Sequence, residues 1–490
     1  MPSQKSTVDL IAHNQSALFT NKPNLSKNIS QDKLLNLSPI QFICQHYDFV
    51  AKVGTMLNQK YGPGTDIKKI PIDKLTTDNY QDIVNLLAEN ELLPQEKWTS
   101  FYVQIILEDL FGMGVLASLM NDSSVDEIMV VSHDKIFVER FGKIQKTPIQ
   151  FPTVDDAKNI VRRFISPLNK RLDASSPNVN AQLPDGSRLS ASIAPLRAND
   201  EISITIRKFK STVEPLSFYV EKYKSETEEM ANFLEKAVAS KLSMIVSGGT
   251  GSGKTTLLNS LSFAIPNSER ILTVEDTLEL RLQQDNVETY QTVEPNMEGK
   301  GGFSMQQTII EALRKRPDRI IVGECRGPEI VEMLNAMNTG HEGSLSTIHA
   351  NSPADLVTRA STMIRSNPNS AHLQERSILE MLDSIDIIVQ QSRLEDGSRR
   401  IMNITEVVGA GSKGLKRLQS KGKIKKDAHV EEKLYLQDIF RFVITDTDEK
   451  GKVHGHFETT GYVPFCAQKM RQFGYNFDDS FFQKRVLLEV

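Results

Sequence analysis

Runs and alternations of apolar side chains divide the 490-residue chain into segments with different periods. Over residues 1–36 few apolar positions recur and Asn, Ser and Lys dominate, which predicts a disordered N-terminus. From 37 to 95 apolar residues return at helical spacing, as in Ile40, Phe42 and Ile43 with Phe49-Val50, and Ile83-Val84 with Leu86-Leu87, predicting a small helical module. From 96 to 209 the texture becomes α+β. A helix over Phe101 to Leu119, with Ile105, Leu107, Leu110 and Phe111 at its apolar positions, precedes an Ile136-Phe137-Val138 strand and a helix over Ala157 to Phe164. The turn Pro184-Asp185-Gly186-Ser187 between Ala181-Gln182-Leu183 and Leu189 to Ile193 predicts a hairpin, and the strict alternation of Ile202 to Ile206 predicts another strand.

Residues 210–220, with Pro215, read as a linker. Over 221–410 helical patterns alternate with short, nearly continuous apolar runs at Leu242–Val246, Arg270–Val274, Arg319–Val322 and Gly343–Ile348. Such runs predict a parallel sheet buried by helices on both faces, an α/β class in which ligands sit at the carboxyl ends of the strands. Residues 411–430 carry Lys413, Lys416, Arg417, Lys421, Lys423, Lys425 and Lys426, and are expected to form a basic flexible insert. A C-terminal extension over 431–490 resumes order with Leu436 to Phe442 and a turn at Asp446 to Gly451.

Composition narrows the class. A formal net charge of −4 with 24% charged residues gives no global basic field for nucleic acid or an anionic membrane, so any such contact is local. Three scattered cysteines, Cys44, Cys325 and Cys466, argue against a disulfide framework or a zinc site and for a reducing cytoplasm. No stretch approaches the roughly 18 to 20 apolar residues that span a bilayer, and the N-terminus lacks a signal-peptide core.

The chemistry is concentrated at predicted strand ends. Gly248-Gly249-Thr250-Gly251-Ser252-Gly253-Lys254-Thr255 follows an apolar strand and precedes the helix-compatible run from Thr256. Gly248 and Gly253 bracket four residues, so several backbone N–H groups can converge on one anion at a helix N-terminus. Lys254 is placed to reach the β- and γ-phosphates of ATP and the Thr255 hydroxyl to ligate Mg²⁺. Glu324 closes the apolar strand Ile320-Ile321-Val322-Gly323 and is expected to hold Mg²⁺ through water. Glu275 ends another strand and is assigned to orient or deprotonate the attacking water, with Asp276 beside it suited to cap a helix. His341 and His349 lie eight residues apart across a strand, which is not the spacing of a helical zinc pair; His349 is expected near the γ-phosphate as a hydrogen-bonding sensor. No Asn-Lys-x-Asp follows the loop, which disfavours GTP; the nearest string, Asn169 to Asp173, has the wrong spacing.

Taken together, Gly248 to Thr255, Arg270 to Asp276, Arg316 to Gly327 and Gly340 to Asn351 resemble the Walker A, Asp, Walker B and His boxes of the secretion ATPase superfamily, which drives type II and type IV secretion and type IV pilus assembly. Leu280 to Gln284, Asn296 to Gly301, Ala336 to His341 and Ser176-Pro177 with Leu183 to Arg188 look most like the tight-adherence (Flp) pilus assembly ATPases. The likeness runs from about Phe111 to Gly409, and more weakly around Asp438 to Phe440. It implies a RecA-like P-loop domain after an α+β domain, a homo-hexamer, and nucleotide held between the two domains. It further implies that Arg188 and Arg207 supply charge to the transferring phosphoryl group. Inner-membrane platform proteins would be the partners and would bring the chain to the cytoplasmic face of that membrane; a DNA-transfer ATPase or nucleic-acid translocase is the alternative. Cys325 stands where the family usually has an apolar residue, so a small thiol is expected to be tolerated and to make the site oxidisable. The tetracysteine zinc module of some extension ATPases is absent.

Overall fold

The computed structural model describes residues 46–62, 72–92, 96–140, 142–168, 170–209, 212–293, 295, 300–449 and 451–490. The expected disorder at 1–36, Cys44 and Asn296 to Gly299 lie outside these residues. The chain divides into two compact units, 1–209 and 210–490.

In the first unit three helices, α1 (Tyr47–Tyr61), α2 (Ile72–Glu89) and α3 (Glu96–Phe111), share a core of Phe49, Val53, Leu57, Leu75, Ile83, Leu87, Val103, Ile106 and Leu107. The boundary expected at 95/96 therefore falls inside one packed helical layer, because the apolar face of α3 turns toward α1 and α2. The single helix expected over Phe101 to Leu119 is also interrupted. A side chain at Gly112 would strike the Glu108 carboxylate, and Gly114 has φ +55°, where L side chains are strained, so α3 ends and a short helix α4 (Ala117–Asn121) starts afresh.

An antiparallel sheet follows, formed by β1 (Val125–Ser132), β2 (Lys135–Arg140), β3 (Lys143–Lys146), β4 (Asn178–Gln182), β5 (Arg188–Ser192) and β6 (Ser203–Arg207). Its order is β3-β2-β1-β6-β5-β4, and α5 (Val154–Ile165), capped by Thr153, covers it with Ala157, Ile160, Val161 and Ile165.

The second unit opens with α6 (Leu216–Tyr223) and α7 (Glu228–Ala239), then alternates strand and helix. The strands are β7 (Met244–Gly248), β8 (Ile271–Glu275), β9 (Val287–Gln291), β10 (Arg319–Cys325), β11 (Leu345–His349) and β12 (Ile387–Arg393). Between them run α8 (Lys254–Ser262), α9 (Met305–Leu313), α10 (Ile330–Asn338), α11 (Pro353–Ser366) and α12 (Glu375–Leu382). The six strands pair in parallel in the order β12-β7-β11-β10-β8-β9, with β7, β8 and most of β10 and β11 buried, giving the RecA-like α/β core expected from the apolar runs.

Four antiparallel strands continue this sheet from β12: β13 (Arg399–Ala410), β14 (Leu434–Thr447), β15 (Val453–Thr459) and β16 (Arg485–Glu489). Residues 431–490 are thus an extension of the ATPase sheet itself, closed by a short helix α14 (Cys466–Gln472). The stretch expected to be flexible begins as a helix, α13 (Gly411–Ser420), because Leu415 and Leu418 are three residues apart and both buried, while Lys413 and Lys416 face out. One device was invisible in the sequence: Arg319, fully buried at the start of β10, binds both carboxylate oxygens of Glu269 and donates to Val238 O at 2.7 Å and Gly343 O at 3.2 Å. It ties the edges of three elements together in the interior.

Candidate active site

The strand order places three chemistry-bearing strand ends side by side. His349 at the end of β11 is the register partner of Gly248 at the end of β7, and β11 separates β7 from β10, which ends in Glu324 and Cys325. β8, ending in Glu275, is the next strand beyond β10. β11 stops where it does because Ser352 caps α11, with Pro353 in its first turn, and Asp355 accepts from the Asn351 N–H.

The phosphate loop is shaped by its glycines and by side chains from elsewhere. A Cβ at Gly248 would lie 2.2 Å from the Gln391 carbonyl and 2.5 Å from Ser252 Oγ, so only glycine lets β7 pass β12 there. Gly251 and Gly253 have φ of +71° and +96°, the conformations that turn the chain into α8. Side chains bind the loop's own carbonyls, Ser252 Oγ donating to Gly249 O at 2.9 Å. Lys254 Nζ donates to Gly248 O at 3.0 Å and Gly249 O at 2.9 Å, and Arg399 Nε donates to Gly251 O at 2.9 Å. Arg399 is the register partner of Arg393 on the β12–β13 hairpin, and Arg393 lies 3.4 Å from where a Gly251 Cβ would be. Sequence reasoning missed this hairpin, since nothing near Arg393 or Arg399 repeats a phosphate motif.

A polar chain leads from the loop to the acidic strand end. Lys254 Nζ stands 3.2 Å from His349 Nδ1, and His349 Nε2 stands 3.0 Å from Glu324 Oε1. With the ammonium as donor, the Nδ1 lone pair accepts and the proton sits on Nε2, facing the carboxylate. Burial, then the Lys254 charge, holds the His349 pKa below its ordinary value against the pull of Glu324, so the imidazole is neutral at pH 7. Arg326 donates to Glu324 Oε2 at 2.7 Å and lies 3.9 Å from Asp276, which spans the two acidic strand ends. Glu324, Arg326 and His349 face a cleft of about 440 Å³ that Thr250, Cys325, Arg359 and Met363 also line. Arg326 and Arg359 were not singled out from sequence; Arg326, two residues after Glu324, was within reach of the same motif.

Glu275 is buried, and its Oε1 accepts the backbone N–H groups of Glu279 at 2.8 Å and Leu280 at 2.9 Å, so it also organises the loop after β8. A Cβ at Gly323 would approach Glu275 Cγ to 3.0 Å, so the glycine lets this carboxylate pack against β10. Asp276 does not cap a helix; it accepts from Thr292 Oγ1 at 3.0 Å, and no helix follows it before β9. Cys325 is buried beside Ser346, and burial pushes its thiol up to about 12, which removes the thiolate that oxidation requires. Arg188 and Arg207 belong to the first unit, as register partners on β5 and β6; Arg207 is exposed and pairs across β1 with Glu127.

The donor set suits a magnesium nucleotide. A glycine-lined anion cradle opens onto a helix N-terminus, with a buried ammonium inside it and a hydroxyl and a carboxylate at its rim.

Residues 110–439 match the family described as Type II/IV secretion system protein. The chain belongs to this family. It is 30% identical to VirB11 of Rhizobium radiobacter over 302 residues, covering 56% of this chain and 88% of that protein. A putative conjugal transfer protein of Mycobacterium tuberculosis is 29% identical over 310 residues, covering 62% of this chain and 86% of the relative. Among solved structures, the VirB11 ATPase of the Brucella suis type IV secretion system is similar at 25% identity and a TM-score of 0.32, covering 61% of this chain and 97% of that one. Family membership accounts for the chain from the last residues of α3 to the middle of β14, whereas α1, α2, most of α3, β15, α14 and β16 lie outside the match. Among the described residues, no helix is long and apolar enough to cross a membrane.

Proposed function

We propose that this chain is an ATP-hydrolysing motor, working as a homo-hexamer at the cytoplasmic face of the inner membrane, that powers tight-adherence pilus assembly or type II/IV secretion through membrane platform proteins. The observation that carries the reading is the line from Lys254 through His349 to Glu324 at the mouth of one glycine-shaped loop. Binding alone would need only the loop. The neighbouring carboxylates and cations answer the further demands of hydrolysis, which are a positioned water and countercharge for the phosphoryl oxygens.

In this reading Gly248 to Thr256 cradle the triphosphate, with Lys254 exchanging its carbonyl contacts for β- and γ-phosphate oxygens. Thr255 and Glu324 would hold Mg²⁺, which when bound neutralises charge shared by those phosphates. His349, 3.0 Å from Glu324 through Nε2, senses the state of the cleft. Glu275 orients the attacking water. Arg188 and Arg207 are assigned as further countercharge for the phosphoryl group. Lys254→Ala and Glu275→Ala are each expected to abolish steady-state phosphate release by the purified assembly; a wild-type rate in either variant refutes the assignment.

A second reading, conjugative DNA transfer, is favoured by the conjugal-transfer names of the relatives. Turnover stimulated by DNA and lost steeply with added salt would select it over pilus assembly.

A further inference from the structure

The basic stretch that follows β13 has no part in the cleft, and it is built as a surface. Seven cations and no acidic residue fall within 411–426, in a chain whose formal net charge is −4. Leu415 and Leu418 anchor α13 inward, and Gly414 brings the helix so close to β13 that a Cβ there would lie 2.2 Å from Gly409 O. Lys413 and Lys416 are consequently exposed, as are Lys421, Lys423, Lys425 and Lys426 in the turn that follows. That turn is pinned: Lys423 N donates to Leu418 O at 3.0 Å around Gly422 at φ +68°, and Gln419 Nε2 donates to the carbonyls of Lys425 and Lys426, both at 3.0 Å. Arg417 and Lys421 also rest on the Phe465 ring, at 5.3 and 5.1 Å from its centre. A solvated basic loop needs none of this order. Fixing like charges side by side is unfavourable unless an anion is there to receive them.

We propose that residues 411–426 form a preorganised docking surface for an anionic phospholipid bilayer. Six of the seven cations are lysines, compact charges suited to a diffuse plane of headgroups, and the one arginine is engaged with Val408 O at 2.8 Å. The half-buried Phe465 ring at the patch already carries Arg417 and Lys421, which disfavours its use as a stacking platform for single-stranded nucleic acid. Along the chain acidic residues resume only after the patch, at Asp427, Glu431 and Glu432; in the fold Asp383 neutralises Lys413, leaving the other lysines of the patch to the bilayer.

The test is sedimentation of the full chain with vesicles of phosphatidylcholine alone or mixed with phosphatidylglycerol, at low and high salt. Binding to the mixed vesicles should exceed binding to neutral ones at least about tenfold, and added salt should remove it. The variant Lys416→Gln/Lys425→Gln/Lys426→Gln touches none of the anchoring contacts and should lose that binding with an unchanged melting temperature, whereas the triple Arg variant should keep it. Equal binding to both vesicles, no binding, or a Gln variant that still binds the mixed vesicles would overturn the proposal. So would tighter binding to a DNA duplex that the Gln variant also loses, which would make the patch a nucleic-acid surface. None of these outcomes depends on ATP turnover, so the motor reading stands or falls separately.

Discussion

At the residue scale, the loop is held from two sides by cations that reach it from within the same unit. Lys254 binds the carbonyls before the apex and Arg399 binds the carbonyl at the apex, which fixes the path of the loop backbone. A hydrogen bond from a charged donor contributes about 1.5–3 kcal/mol. Arg399→Ala is therefore expected to weaken nucleotide binding by about tenfold or more, and to speed hydrogen exchange at the amides of 249–253 with the fold intact. A nucleotide titration together with exchange mass spectrometry checks both. A second residue-scale prediction concerns Glu226, a buried carboxyl ahead of α7 that burial, aided by repulsion from Glu235, pushes up to about 8. The folded chain then keeps a proton that the unfolded chain releases above its ordinary value of 4.5. Stability from this group is full below that value and is lost as pH rises through about 8. Glu226→Gln should consequently be more stable than wild type near pH 8 and lose that advantage near pH 5, read from denaturant midpoints at each pH.

Elements differ in how openly they announce themselves. β7, β8, β10 and β11 are buried on both faces, so none carries a solvent-exposed position, and all four were expected, although β11 includes Ser346 and Thr347. α13 is written as two leucines among cations, and a charge count hides a helix whose apolar stripe is only two residues wide. Its stability comes from docking on β13 and β14, since ten residues are too few for an isolated helix to persist in water. Leu418→Ala should remove about 2–4 kcal/mol and unseat the helix, which urea unfolding and proteolysis at 411–426 would report. The break between α3 and α4 was hidden for the opposite reason. Apolar spacing continues across Gly112 and Gly114, while the backbone conformation that ends the helix leaves no trace in that spacing.

For the whole molecule, the division into 1–209 and 210–490 separates the loop, Glu275, Glu324 and His349 from Arg188 and Arg207. A fragment of residues 210–490 contains the complete ten-stranded sheet and its two hydrophobic clusters. It is expected to unfold cooperatively and to bind nucleotide, yet to turn it over at a small fraction of the full-length rate; calorimetry, nucleotide titration and phosphate release on the fragment measure the three. What the sequence determined by itself is local. Glycines at 248, 251 and 253 with Lys254 and Thr255 dictate a phosphate loop because the allowed backbone conformations and the helix start are properties of adjacent residues. Apolar runs likewise dictate a buried parallel sheet. Only the tertiary structure decided which strand ends became neighbours. By placing β11 between β7 and β10 it set His349 between Lys254, 95 residues away, and Glu324, and by folding β13 beside β12 it brought Arg399 to a carbonyl 148 residues earlier. Strand order follows from how the whole hydrophobic surface is best buried, and no window of the chain contains that information.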